Sequence, residues 1–221
     1  MTAKFFGTAA LVLLLITAAS ASAAQMGQAE QTLDRKVHAF LDSHAGQWRD
    51  MNVPEADGKI LYDLVLKNKY TRALEIGTST GHSGIWIAWA LSKTGGKLIT
   101  VDIDEGRYRE ALANFREAGL DAFIDARLAD AHELVPTLPG PFDFVFCDAD
   151  KDWYKNYFVA VLPKLMVGGC FTAHNVSARM RGQGWGSNDF VELVLGLPFM
   201  ETIFAEGSRS GLSVSIKRAE K

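Results

Sequence analysis

The sequence predicts an α/β protein: a doubly wound, mostly parallel sheet of seven strands, closed by a C-terminal antiparallel hairpin and preceded by helices. Three observations predict it. Short apolar runs alternate with segments of helical period from residue 73 onwards. The first run opens into a glycine turn, Gly77-Thr78-Ser79-Thr80-Gly81-His82-Ser83-Gly84. Polar residues recur where strands should end: Glu75, Asp102, Asp130, Asp148, His174 and Asn175. At the carboxyl edge of one sheet they would converge on a single crevice.

Residues 1–24 stand apart from the fold. Lys4 gives a positive start, residues 5–19 are almost all apolar, and Ala21-Ser22-Ala23 supplies small residues for cleavage. This is the pattern of a secretory signal peptide, and its apolar run is short for a spanning helix, which needs ~20 residues. Export to the periplasm or the medium is expected, with cleavage after Ala23 or Ala24; an uncleaved N-terminal membrane anchor is the alternative. No later stretch is apolar enough for stable membrane insertion. Residues 25–70 then read as an N-terminal helical cap and 71–221 as the core. Within the cap, one helix is expected over 28–48. Met51-Asn52-Val53-Pro54 breaks it, and a second helix runs over 54–68 with Ile60, Leu61, Leu64 and Val65 buried. These helices would cover a ligand or form a homodimer face.

The core elements follow in order. Strands are expected over 73–76, 97–101, 123–128, 142–147 and 170–173. Helices are expected over 81–91, 106–118 (with Gly119 as its stop), a short stretch to Pro136, 154–165 and 190–197. Residues 177–189, glycine-rich with Arg179, Arg181 and Trp185, read as a loop. Residues 199–205 and 212–217 read as a hairpin. Hydrophobic residues at 48% and charged residues at 22% are globular values. The net charge of -3, more negative once Lys4 leaves with the leader, argues against a general nucleic-acid or anionic-membrane binder. Cys147 and Cys170 lie in apolar runs and read as buried small hydrophobes, a disulfide being the minority option.

The turn carries the chemistry. Gly77 permits a positive φ, Gly81 permits close approach of a ligand, and the helix start offers N–H groups to an anion. The glycines do not fit the dinucleotide fingerprint, because Ser79 holds its second glycine position. Glu75 would repel a pyrophosphate and welcome an ammonium, so a ligand with an amino-acid head group fits. Asp102 is spaced to hold a ribose hydroxyl pair. Asp130-Ala131 would accept from an adenine amino group, or Asp130 is an ordinary helix cap.

On these motifs the chain resembles the class I S-adenosylmethionine-dependent methyltransferases. Among them it is similar to the metal-dependent O-methyltransferases that include catechol and caffeoyl-CoA O-methyltransferases. The resemblance covers about 51–217. It rests on Leu74-Glu75-Ile76-Gly77-Thr78-Ser79-Thr80-Gly81, on Val101-Asp102-Ile103-Asp104 and, most specifically, on Phe142-Asp143-Phe144-Val145-Phe146-Cys147-Asp148-Ala149-Asp150-Lys151. It implies a Rossmann-like fold, S-adenosylmethionine as cofactor and a small phenolic or catechol-like hydroxyl acceptor. Glu75, Gly77, Thr78, Ser79, Gly81 and Ser83 would hold the methionine end of the cofactor. Asp102 and Ile103 would hold the ribose, Asp130 and Ala131 the adenine, with Asp148 also at the cofactor. Asp148, His174 and Asn175 would bind a divalent cation. Lys151 would sit beside the acceptor hydroxyl, with Asp148, as a catalytic residue; without the resemblance it reads as a solvated lysine.

Residue 174 departs from the pattern, which ends that strand in Asp-Asn. Imidazole weakens a Mg²⁺ site and suits Zn, Fe, Ni or Cu better. A divalent site for Mg²⁺ or a softer cation is expected, beside two alternatives: His174 as a base without metal, or a vestigial site. His38, His44, His82 and His132 read as surface or packing residues, with His82 in reach of ligand. Trp153, Tyr154 and Trp185 read as acceptor walls or as core, and Arg179 and Arg181 as contacts to an acidic substituent or as solvated. Two rival functions stand. One is a non-catalytic ligand- or cofactor-binding protein on the same fold, its metal triad broken at His174. The other is a nicotinamide-dependent dehydrogenase, against which Ser79 and Glu75 count.

Overall fold

The computed structural model describes residues 6–49, 51–180 and 187–220. The predicted loop residues Arg181 and Trp185 lie outside them. The chain divides into two compact units, Met1–Ser43 and His44–Lys221. The first contains helix α1 (Phe6–Ser43), which is continuous through the expected cleavage point. The helix expected over 28–48 thus starts earlier and stops sooner; past Ser43 the chain turns at Gly46, whose φ is +71°. Among the described residues no helix is long and apolar enough to cross a membrane.

The second unit is built on a seven-stranded sheet in the order β3-β2-β1-β4-β5-β7-β6. The strands are β1 (Arg72–Ile76), β2 (Lys97–Asp102), β3 (Ile124–Leu128), β4 (Phe142–Cys147), β5 (Leu165–His174), β6 (Met200–Phe204) and β7 (Leu212–Lys217). The first five pair in parallel, and β7 is antiparallel to both β5 and β6. Helices α2 (Glu55–Asn68), α3 (His82–Thr94), α4 (Glu105–Ala118), α5 (Ala131–Thr137), α6 (Tyr154–Val161) and α7 (Asn188–Gly196) complete the unit.

Strand periodicity assigns the faces. Phe144 and Phe146 of β4 pack in one core cluster with Leu61, Val65, Ile87 and Leu91 of α2 and α3. Val145 and Cys147, one residue out of phase, pack in the other with Tyr157, Phe158, Phe190 and Val194 of α6 and α7. Both cysteines are buried and free. In the second unit the largest departures from expectation are in α6 and β5. α6 stops at Val161 because Pro163 withholds an N–H and the chain tightens into a 3₁₀ turn. β5 begins at Leu165, earlier than residue 170, because the pairing shifts register opposite Phe142 to Phe144 and absorbs Gly168-Gly169 into the strand.

The topology places the site. From β1 the chain winds outward through β2 to β3, then returns to lay β4 on the other side of β1. The order therefore reverses between β1 and β4, and the crevice opens beyond their carboxyl ends. Gly77 follows β1 there with φ +99°, and an added Cβ would stand 2.6 Å from the Asp148 carbonyl oxygen after β4. The two backbones touch, which only glycine permits in that conformation.

Candidate active site

A cavity of about 820 Å³ occupies this crevice, within the range of small-molecule sites. Its wall includes Gly77, Ser79 and Ser83 of the glycine turn, Asp102 and Ile103 after β2, Asp130 and Ala131 after β3, Asp148 and Lys151 after β4, and His174 and Asn175 after β5. The strand-end residues other than Glu75 converge on one space. Glu75, Thr78 and Gly81 lie beneath the wall and not on it.

The turn is fixed from below. The Gly77 and Thr78 amides donate to the Val101 carbonyl at 3.0 and 3.2 Å. Asn114 Nδ2 donates to the Thr80 carbonyl at 2.8 Å. Asp102 is held from both sides: Oδ2 accepts from the Ser79 amide at 2.7 Å and Oδ1 from the Asp104 amide at 2.9 Å. Ser79 adopts φ +48° to make its bond. A carboxylate oriented this way presents fixed acceptors to a vicinal diol. Asp130 caps α5, accepting from the His132 amide at 2.8 Å, while its residue also lines the cavity. Capping and ligand reach therefore coexist at this position. His132, at the same end of the cavity, stacks on Trp153 with ring centroids 3.9 Å apart.

Glu75 is fully buried. Its Oε2 accepts from Thr100 Oγ1 at 2.6 Å, and Oε1 has no partner. Burial pushes its carboxyl up to about 8, with Ser83 and Thr100 opposing through hydrogen bonds and Asp148 and Asp102 adding repulsion. It reaches the cavity through Ser83, which lines the wall, and is a support for the turn in this geometry.

At the other end, Lys151 Nζ donates to Asp148 Oδ1 and, at 2.8 Å, to Tyr154 OH. Tyr154 is wholly buried and donates to the His174 carbonyl at 3.1 Å; it is core and not a pocket wall. His174 Nε2 lies 2.9 Å from Asp57 Oδ2. Its Nδ1 lies 3.0 Å from Asp148 Oδ2, a charge contact that is off the hydrogen-bond line. Burial lowers the His174 imidazole, but the two carboxylates outweigh it and raise it to about 9. Burial likewise pushes Asp57 up, and His174 with Ser208 and Ser210 holds it below its ordinary value.

These contacts bear on the expected divalent site. A ligating imidazole must offer a lone pair, yet both His174 nitrogens face carboxylate oxygens. Asp148 has one oxygen on Lys151 and one on His174. Among the described residues no three His, Cys, Asp or Glu side chains are arranged to hold a metal ion. Asn175 lines the cavity, but in this arrangement Asp148, His174 and Asn175 do not fit a Mg²⁺ or softer cation. The physical reason is Asp57, which the sequence reading passed over. It lies on the buried face of α2, four residues before Leu61 and eight before Val65. That helical spacing placed an acid among core positions, and was the available signal.

His82 is a packing residue. Its ring stacks on Trp48 at 4.3 Å, Nδ1 lies 2.9 Å from the Val53 carbonyl, and Nε2 accepts from Trp86 Nε1 at 3.0 Å. Burial lowers it to about 4, so it is neutral and does not line the cavity. Arg179 is exposed.

Residues 25–182 match the family described as O-methyltransferase. The chain belongs to the O-methyltransferase family. It is 37% identical over 130 residues to a catechol O-methyltransferase of Niastella koreensis, covering 57% of this chain and 58% of that protein. It is 32% identical over 128 residues to a caffeoyl-CoA O-methyltransferase of Medicago sativa, covering 55% and 51%. The chain thus spans little more than half the length of these curated relatives. An O-methyltransferase from Bacillus cereus, crystallised in complex with SAH, superposes with a TM-score of 0.71 at 26% identity, covering 83% of this chain and 90% of that one. The family's Rossmann-like architecture is the one described above.

Proposed function

We propose that this O-methyltransferase-family chain transfers a methyl group from S-adenosylmethionine to a hydroxyl oxygen of a small phenolic or catechol-like acceptor. The observation that carries the reading is the anchored Asp102 carboxylate facing the same cavity as the Asp148–Lys151 pair. One end suits a nucleoside and the other an acidic hydroxyl. The SAH-bound relative and the catechol and caffeoyl-CoA relatives support the two halves.

Methyl transfer is an in-line displacement: an acceptor oxygen–carbon bond forms, the sulfonium–carbon bond breaks, and the sulfonium becomes a neutral thioether. Positioning the two reactants supplies most of the rate. In this reading Asp102 and the turn hold the cofactor, the Lys151 ammonium orients the acceptor hydroxyl, and the Asp148 carboxylate receives its proton. The family's divalent ion would add Lewis-acid and template chemistry, but the residues here do not fit it.

A second reading, a ligand-binding protein without turnover, is favoured by the engagement of both Asp148 oxygens. The first reading requires cofactor binding and turnover; the second requires neither turnover nor this particular ligand. Calorimetric titration with S-adenosylmethionine tests the binding part of the first. Asp102→Ala is expected to weaken binding about 10–100-fold, as loss of charge-assisted hydrogen bonds does. Absence of binding to the unsubstituted chain sinks the methyl-transfer reading. For residues 1–24 we propose an export leader, on the pattern of Lys4, the apolar run and Ala21-Ser22-Ala23; N-terminal sequencing of the protein from its own host tests it.

A further inference from the structure

We propose that the positive charge this site needs is built into the chain: His174, clamped between Asp57 and Asp148, stands in place of a divalent metal, with Asp57 as its positioning residue. The inference takes from the methyl-transfer reading what the charge is for, but whether the charge is there stands independently.

The geometry is specific. Nε2 and Nδ1 of His174 lie 2.9 and 3.0 Å from carboxylate oxygens of different elements, Asp57 on α2 and Asp148 after β4. Nε2 is hydrogen-bonded to Asp57, and a lone pair on Nδ1 would face the Asp148 carboxylate 3.0 Å away; that arrangement favours the doubly protonated cation, which has no lone pair to give a metal. The charges then close: the carboxylates of Asp57 and Asp148 are matched by His174 and Lys151. A dication added to that set would leave two uncompensated charges in a buried site, which is strongly unfavourable.

Asp57 is a buried carboxylate that needs partners, and His174 is the cationic one beside Ser208 and Ser210. It is 1% exposed on the core face of α2, where an unpaired carboxylate is costly. Strand periodicity puts His174 on the same face of the sheet as Cys170, which packs with Leu61 and Val65 of α2. Acid and imidazole are thus brought together by the packing of α2 on β5. Tyr154 ties the backbone of residue 174 to Lys151. His174 lines the cavity, so its fixed charge acts on an acceptor oxygen that gains negative charge as its proton leaves.

The test uses the full chain and Mn²⁺ alone. The free-ion electron paramagnetic resonance signal is expected to be undiminished by the unsubstituted protein. H174D, which exchanges a cation for a third carboxylate, is expected to bind Mn²⁺ at least about tenfold more tightly. Nitrogen-15 spectra of labelled histidine are expected to show both His174 ring nitrogens protonated at neutral pH, with the signal shifted in Asp57→Asn and absent in His174→Gln. Mn²⁺ sequestered by the unsubstituted chain and released by His174→Gln would overturn the proposal, as would a neutral single-tautomer His174. The Mn²⁺ reading of the unsubstituted protein and the nitrogen-15 spectra depend neither on turnover nor on the H174D variant folding. A chain that transfers no methyl group yet shows the doubly protonated ring would therefore fail the functional reading alone.

Discussion

Lys151 and Asp148 share a hydrogen bond at the mouth of the cavity, and Lys151 also donates to the buried Tyr154 hydroxyl. Those bonds aim the ammonium group while leaving it in contact with the cavity. If Lys151 orients the acceptor hydroxyl while Asp148 receives its proton, Lys151→Met should lower kcat by about 10²–10⁴, the range of general acid–base contributions. The dissociation constant for S-adenosylmethionine should stay within about threefold, since the lysine is not at the Asp102 end. Steady-state kinetics and calorimetry on the same preparation check both parts. Much of this was legible in the sequence. Asp102 and His174 end their strands, Asp130, Asp148, Lys151 and Asn175 follow theirs, and strand ends in an open sheet share one edge. What the linear pattern could not show was pairing across elements. Glu75 reads as a ligand-facing acid, yet it points along the Ala73 side of β1 into the space under α3, where Gly84 makes room for it. His174 reads as a metal ligand because its partner Asp57 lies more than a hundred residues away in sequence.

The α2–α3 pair decides how the Asp57 carboxylate is delivered. Gly58 sits against Trp86, and a Cβ added there would stand 2.2 Å from the indole Cδ1. The Trp86 ring is itself tied to His82, so it cannot simply swing away. Gly58→Ala should destabilise the fold by about 1–3 kcal/mol, the usual cost of overpacking. A lowered urea midpoint with an unchanged m-value is the expected signature, and an unchanged midpoint would show that the two helices slide apart freely. Element boundaries were legible where caps are explicit. Asp104 accepts from the Arg107 amide and Gly119 closes α4, both readable as start and stop. The start of β5 was not, because Gly168-Gly169 reads as a turn while the sheet accommodates it through a register shift. Nor was the extent of α1, whose sequence carries no proline between Phe6 and Ser43 to interrupt it.

At the scale of the whole molecule, the buried titrating groups give stability a definite pH dependence. Glu75 has a folded-state value raised from 4.5 to about 8, so the folded chain holds a proton that the unfolded chain has lost. Stability falls as pH rises through that window, by up to ~5 kcal/mol. His174 is raised from 6.5 to about 9, so its contribution is whole below 6.5 and is lost as pH rises through about 9. Asp57 is lowered, and its contribution is present above 3.8 and lost on acidification. His82, lowered from 6.5 to about 4, opposes Glu75 below pH 6.5, so the net decline should set in near pH 6.5 and run to about pH 9. Urea unfolding across that range checks it. Glu75→Gln, a neutral isostere, should flatten the decline, and an unaltered slope would mean that Glu75 is already ionised in the fold.

Methyl transfer in a cavity that carries its own cation would need no added metal. Transfer of an isotopically labelled methyl group from S-adenosylmethionine to a catechol, with EDTA and again with added Mg²⁺, tests that claim most directly. Labelled O-methyl product at the same rate in both conditions is the predicted result. Product only with Mg²⁺ would contradict the built-in cation, and no product in either, with the cofactor bound, would contradict the transferase reading itself.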